Sequence, residues 1–178
     1  MVDPLKCMFD TNVFNRIVDG IVPVESLVGR VIAHSTHIQR DELDNTKDME
    51  RRAALAEVFG EIVSEAAPTD SFVLGVSRLG EARLGGDRVV PTDSAVWGVS
   101  RWGQAKWGAA DDLYSTLKAE LDNLNGSKPN NTQDALIGET SIKGGYVLVT
   151  DDADLAVVTK KYGGRCLSVL ELLRQCTP

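Results

Sequence analysis

Residues 5–12 of the chain read Leu-Lys-Cys-Met-Phe-Asp-Thr-Asn, an apolar run that ends in an acid. An apolar run of this length predicts a buried β-strand, and the polar residues from Asp10 onward predict the start of a helix. In open α/β sheets, ligands bind outside the carboxyl ends of the strands. The stretch therefore predicts a first strand that presents Asp10 at the binding edge of a sheet.

Strands and helices alternate along most of the remaining chain. Further strands are predicted at residues 31–33, 146–150 and 165–167, and the longer helices at 47–66, 111–124, 133–143 and 169–175. Ser168 and Glu171 have the spacing of a capping box for the last helix. The alternation favours an α/β fold in which helices cover both faces of a mostly parallel central sheet. The length of 178 residues favours one domain, residues 1–178, with room for an insertion.

Composition narrows the class of protein. The chain is 43% hydrophobic and 25% charged, which is typical of soluble globular proteins, and it lacks an apolar run of membrane-spanning length. A secretory signal is also missing, so we expect a cytoplasmic protein whose three cysteines are reduced core thiols. The net charge of −7 disfavours nucleic-acid binding, unless a carboxylate site binds divalent cations and is less acidic when occupied.

An internal repeat interrupts the alternating pattern. Residues 68–85 and 91–108 match at twelve of 18 positions, which predicts an internally duplicated, β-rich insertion over 68–108 with strands at 72–76 and 95–99. Leucines of the first copy are replaced by tryptophans in the second. Stacking aromatics beside basic residues suit a single nucleic-acid strand. The predicted contacts are Arg78, Arg101 and Lys106; alternatively, the repeat forms a small core of its own or a dimer surface.

Acidic residues recur at the predicted ends of strands and starts of helices, where an open α/β sheet binds its ligands. They are Asp10, Asp41, Glu42, Asp134, Asp151, Asp152 and Asp154. Converging carboxylates repel one another unless they share protons or a cation, and Mg²⁺ and Mn²⁺ prefer oxygen ligands. A pair of such cations can hydrolyse a phosphodiester bond. Helix capping, the helix dipole and surface exposure are the alternative explanations for each acid taken singly.

Three stretches together resemble motifs of the PIN-domain nuclease family (VapC-like). They are Phe-Asp-Thr-Asn-Val-Phe at 9–14, Asp-Ala-Leu-Ile-Gly-Glu-Thr-Ser at 134–141 and Leu-Val-Thr-Asp-Asp-Ala-Asp-Leu at 148–155. Glu42-Leu43 is similar to the remaining motif, with Asp41 as its competitor. The resemblance implies a PIN-like parallel sheet with a carboxylate-lined pocket.

The same resemblance implies a Mg²⁺- or Mn²⁺-dependent endoribonuclease, with DNA as a second substrate and, if toxin-like, an antitoxin-like protein partner or a homodimer. It assigns catalysis to Asp10, Glu42, Asp134 and Asp152, and metal binding to Asp10, Asp134, Asp152 and Asp154. Thr11, Asn12 and Thr150 would orient them. Two alternatives are a PIN-like scaffolding module without activity, and an acid-lined phosphatase, which usually has an acid where this chain has Asn12.

Overall fold

A computed structural model describes residues 3–67, 69, 71, 73, 76 and 111–176 of the chain. The described elements run in the order β1 (Leu5–Phe9), α1 (Thr11–Val18), a 3-10 turn (Val24–Ser26), β2 (Val31–Ser35), α2 (His37–Asp44), α3 (Met49–Ile62), β3 (Val63–Ala66), α4 (Leu113–Asn125), α5 (Asn131–Lys143), β4 (Val147–Val149), α6 (Ala153–Lys161), β5 (Arg165–Leu167) and α7 (Val169–Cys176). None of these described helices is long and apolar enough to cross a membrane.

The five strands form one sheet in the order β3-β2-β1-β4-β5, and every described pairing is parallel. β1 is central: Met8 pairs with His34 of β2 on one side and with Leu148 of β4 on the other. The predicted α/β class with a parallel sheet is therefore confirmed.

Successive residues of β1 enter different cores, because side chains alternate between the two faces of a strand. Phe9 joins a core with helices α1, α3 and α7, through Phe14, Leu55 and Leu172. Met8 joins a second core with α5 and α6, through residues that include Leu136 and Leu155. Helix α4 packs outside α5 and α6 in a third cluster around Leu117 and Leu121. Helices thus cover both faces, as predicted.

Two predicted elements are wrong. The helix expected over 47–66 ends at Ile62, because Val63–Ala66 forms edge strand β3 against β2. In the strand expected over 72–76, the two described residues, Val73 and Val76, lie outside any strand. The Val76 amide donates to the Val73 carbonyl at 3.1 Å, which makes a turn. The strand expected at 95–99 lies outside the described residues.

All three cysteines, Cys7, Cys166 and Cys176, are buried free thiols, as predicted. Burial raises the pKa of the Cys7 thiol to about 12, and neighbouring Cys176 adds to the rise. These thiols are therefore protonated packing groups of the core.

Candidate functional site

The candidate site lies at the carboxyl ends of β1 and β4. Chain connections leave these two neighbouring strands in opposite directions, toward β2 and toward β5, and such a switch point opens a crevice for ligands. The Asp10 amide donates to the Val149 carbonyl at 3.0 Å, and the Thr150 amide donates to the Leu167 carbonyl at 3.0 Å. These bonds extend the sheet ladder by one residue, so Asp10 and Thr150 sit on a rigid edge.

Asp10 is buried and held by three donors. Its Oδ2 accepts from the Thr150 hydroxyl at 2.6 Å and from the Asn12 side-chain Nδ2 at 2.5 Å, and its Oδ1 accepts from the Thr11 backbone N–H at 2.7 Å. Burial nevertheless raises the pKa of Asp10, and the charge of Asp152 raises it further against these hydrogen bonds. Asp10 also occupies the N-cap of α1.

Glu42 reaches the same site from α2. The Thr11 hydroxyl donates to its Oε2, which ties α2 to the first residue of α1. Burial raises the pKa of Glu42, with further contributions from the charges of Asp10 and Asp41. Of the two acids that compete for this position, Glu42 is the one that Thr11 binds.

Asp134 lies in the first turn of α5, and its Oδ2 accepts from the Asn130 side chain at 2.9 Å. Burial raises the pKa of Asp134 to about 8, and the charges that add to the rise are those of Asp10, Glu42 and Asp152. The charges of the other three predicted catalytic acids therefore act on Asp134. These acids come from three different segments of the chain.

Asp152 is the N-cap of α6, where its Oδ1 accepts from the Leu155 amide at 2.9 Å. Its own amide donates to the Thr150 hydroxyl oxygen at 3.0 Å. Because that hydroxyl in turn donates to Asp10, Thr150 links the ends of β1 and α6. We refer to Asp10, Glu42, Asp134 and Asp152 as the acid cluster.

Two further acids of the predicted set have partners of their own. Asp154 pairs with Lys128, with Nζ and Oδ2 at 3.7 Å, and its side chain is partly exposed. Asp151 accepts from the Val169 amide at 3.2 Å and from Arg16 Nε at 3.2 Å, so it joins the start of α7 to α1. Asp151 is thus a structural cap.

Sequence reasoning missed Gln39, which is fully buried on α2, one turn before Glu42. Its Nε2 donates to the Phe9 carbonyl at 3.0 Å, and its Oε1 accepts from the Thr36 amide at 2.9 Å and from the Thr36 hydroxyl. Gln39 therefore fixes the start of α2 against the end of β1. The Thr-x-x-Gln spacing of a capping box was the available signal.

Lys128 was also missed. It follows Gly126 and Ser127, both with left-handed backbone (φ 76° and 58°), a conformation that is uncommon for a serine. Besides pairing with Asp154, its charge lowers the pKa of Asp134. Lys128 is therefore a cation at the rim of the acid cluster, in the loop that precedes α5.

The predicted metal site would consist of carboxylate oxygens of Asp10, Asp134, Asp152 and Asp154. In the part of the chain that the structure describes, no three His, Cys, Asp or Glu side chains form a group that could hold a metal ion. The cluster acids act on one another through charge, while their oxygens engage hydroxyl, amide and backbone donors. Metal binding by Asp10, Asp134, Asp152 and Asp154 stays a prediction. The proposed nucleic-acid contacts Arg78, Arg101 and Lys106 lie outside the described residues.

Comparison with known proteins gives no independent assignment. No protein-family model matches the chain, and no curated protein has significant sequence similarity to it.

Proposed function

We propose that the chain is a PIN-like nuclease that requires a divalent cation and hydrolyses phosphodiester bonds, with RNA as the preferred substrate. One observation carries the proposal. At the switch point of a parallel sheet, burial raises the pKa of Asp134 to about 8, and the charges of Asp10, Glu42 and Asp152, from three other segments, add to the rise. Perturbed acids in a crevice of this kind are typical of functional sites.

The charge of the cluster explains the need for a cation. Ionised together, these acids would repel both one another and a phosphodiester anion. Carboxylate oxygens suit Mg²⁺ and Mn²⁺, and Asp10, Asp134 and Asp152 would hold the ion, with Asp154 reaching from the rim. A cation bound there would neutralise the charge and lower the pKa of an attacking water.

The chain's own residues would orient two of the carboxylates and hold a proton. Thr150 and Asn12 fix Oδ2 of Asp10, and Thr11 fixes Glu42, so both carboxylates are set before substrate arrives. Asp134 holds a proton at neutral pH in the cation-free protein, since its pKa is about 8. Cation binding would therefore release that proton.

A nuclease of this kind would have a nucleic-acid partner and a protein partner. Single-stranded RNA, and secondarily DNA, would contact the repeat through Arg78, Arg101 and Lys106. An antitoxin-like protein or a second copy of the chain would be the protein partner of a toxin-like enzyme.

A non-catalytic PIN-like binding module is the second candidate, favoured by the lack of a preformed metal-holding group among the described residues. An acid-lined phosphatase fits less well. That class usually has an acid where this chain has Asn12.

The test is Mn²⁺-dependent cleavage of end-labelled single-stranded RNA and DNA. We expect cleavage by wild type and by Glu57→Gln, a matched control on the exposed face of α3, and a loss of about 100-fold or more in Asp10→Asn and Asp134→Asn. Equal cleavage by wild type and the two site variants would refute the assigned site. Absence of both cleavage and Mn²⁺ binding in wild type would favour the binding module.

A further inference from the structure

A second buried carboxylate, outside the acid cluster, binds the start of the repeat. Glu139 of α5 is fully buried, and its two oxygens accept from the Ser71 amide at 3.1 Å and the Ser71 hydroxyl at 2.9 Å. Lys143, one turn later, donates to Glu139 at 2.8 Å and also pairs with Asp111 at 3.0 Å. Glu139 is thus a buried acceptor, paired with Lys143, that binds one serine of the first copy.

The other described residues of the first copy are docked as well. Thr69 is fully buried. Val73 and Val76 pack against an apolar cluster that includes Met8, Ile38 and Leu136, and the Val76 carbonyl lies 3.3 Å from Nε2 of His37. We call Glu139, His37 and this apolar cluster the docking site.

The second copy carries the same side chains at all four positions. The repeat offset of 23 residues aligns Thr69, Ser71, Val73 and Val76 with Thr92, Ser94, Val96 and Val99. The Leu-to-Trp differences between the copies fall at other positions, the first of them at 74 and 97. The backbone groups that bind Glu139 and His37 exist in any sequence. The second copy therefore has every group with which the described part of the first copy docks.

We propose that the docking site is a peptide-recognition site for the pattern Thr-x-Ser-x-Val-x-x-Val, and that residues 92–99 compete with residues 69–76 for it within one chain. Exchange of the copies keeps the four described side chains, replaces Phe72 by Ala95 and Leu74 by Trp97, and moves 23 residues of chain from one side of the docked segment to the other. Loop-closure entropy changes slowly with loop length, so moving these 23 residues adds little to the free-energy difference between the two arrangements. This inference does not depend on the nuclease proposal.

The first test introduces cysteine pairs into the full-length chain. Glu139→Cys with Ser71→Cys is the positive control, because those side chains are in hydrogen-bond contact. Glu139→Cys with Ser94→Cys tests the exchange, and Glu139→Cys with Ser100→Cys is the matched control, since Ser100 is a repeat serine outside the docking pattern. After mild oxidation, mass spectrometry should find the 94–139 bridge at several times the level of the 100–139 bridge. Equal levels, or bridges only between different chains, would overturn exchange within one chain.

The second test retains Glu139 and measures non-additivity. Ser71→Ala and Ser94→Ala alone should each lower Tm by no more than about 1 °C, because the other copy can dock. The double variant should lose about 5 °C, because a buried carboxylate then lacks its hydroxyl donor. If Ser71→Ala alone costs as much as the double variant, only the first copy uses the site.

Discussion

Replacing Asp134 by asparagine should make the cation-free protein more stable at alkaline pH. Burial and three neighbouring acids raise the pKa of Asp134 to about 8, against an ordinary value of 3.8. Between these pH values the folded state holds a proton that the unfolded state has released, so the free energy of unfolding falls as pH rises from about 4 to about 8. Asparagine has nearly the same shape and carries no charge.

The size of the effect follows from the pKa difference. About 1.4 kcal/mol for each pH unit gives an upper bound of about 6 kcal/mol at pH 8. Partial solvent access at Asp134 and proton sharing with Asp10 and Glu42 reduce this free-energy difference, so we expect about 2–3 kcal/mol. For a chain of this length that corresponds to a rise in Tm of about 4–12 °C at pH 8. Toward pH 4 the difference should fall to a few tenths of a kcal/mol, because the carboxyl is then close to half protonated in the unfolded state as well.

Thermal unfolding in EDTA, followed by circular dichroism from pH 4 to pH 9, measures the difference in stability between Asp134→Asn and wild type. Glu57→Gln serves as the control and should give a profile parallel to that of wild type. Saturating Mn²⁺ should then stabilise wild type more at pH 8 than at pH 5, because the ion competes with the Asp134 proton, and should stabilise Asp134→Asn much less. An Asp134→Asn profile parallel to wild type would show that the four acids are not coupled, and the site as described would be wrong.

Three further predictions concern the surroundings of the cluster. Lys128→Gln removes the cation that lowers the pKa of Asp134, so the pH-dependent loss of stability should extend to higher pH in the same unfolding assay. Gln39→Leu leaves the Phe9 carbonyl and the Thr36 amide without their hydrogen bonds to the Gln39 side chain. It should lower the free energy of unfolding in urea by about 1–3 kcal/mol. It should also reduce cleavage by the variant molecules that fold. Mn²⁺ binding at pH 7 should release about one proton in wild type and none in Asp134→Asn, measured by calorimetry in buffers of different ionisation enthalpy.

Local signals in the sequence predicted the elements well. The capping box expected for the last helix is present: the Ser168 amide donates to Glu171 at 2.7 Å, and the Glu171 amide donates to the Ser168 hydroxyl at 3.2 Å. The strand at 165–167 matches β5 residue for residue. A capping box and a short strand depend on residues that are close in sequence, so the sequence alone predicts them.

Long-range pairing was harder to predict. Ile62 and Val63 continue the apolar spacing of α3, yet Val63 pairs with Ala33 of β2 and begins a strand. Residues at that junction satisfy both patterns, and only the tertiary partner decides between them. Asp41 and Glu42 pose the same difficulty, since adjacent helical residues point about 100° apart and the sequence does not show which of them faces α1. The hydrogen bond from the Thr11 hydroxyl to Glu42 shows that Glu42 is the residue that faces α1.

Helix capping and cluster formation are two consequences of one arrangement. Asp10 caps α1, Asp152 caps α6, and Asp134 lies in the first turn of α5, so each acid has an ordinary reason to be where it is. The fold brings these three helix starts to one end of the sheet, where the partial positive charges of the helix ends lower the cost of gathering negative charge. The dipoles offset only part of that cost, since burial and the charges of the other acids still raise the pKa of Asp134 to about 8. The remaining imbalance is what a cation would neutralise, which is why the pH dependence of stability is a direct test of the site.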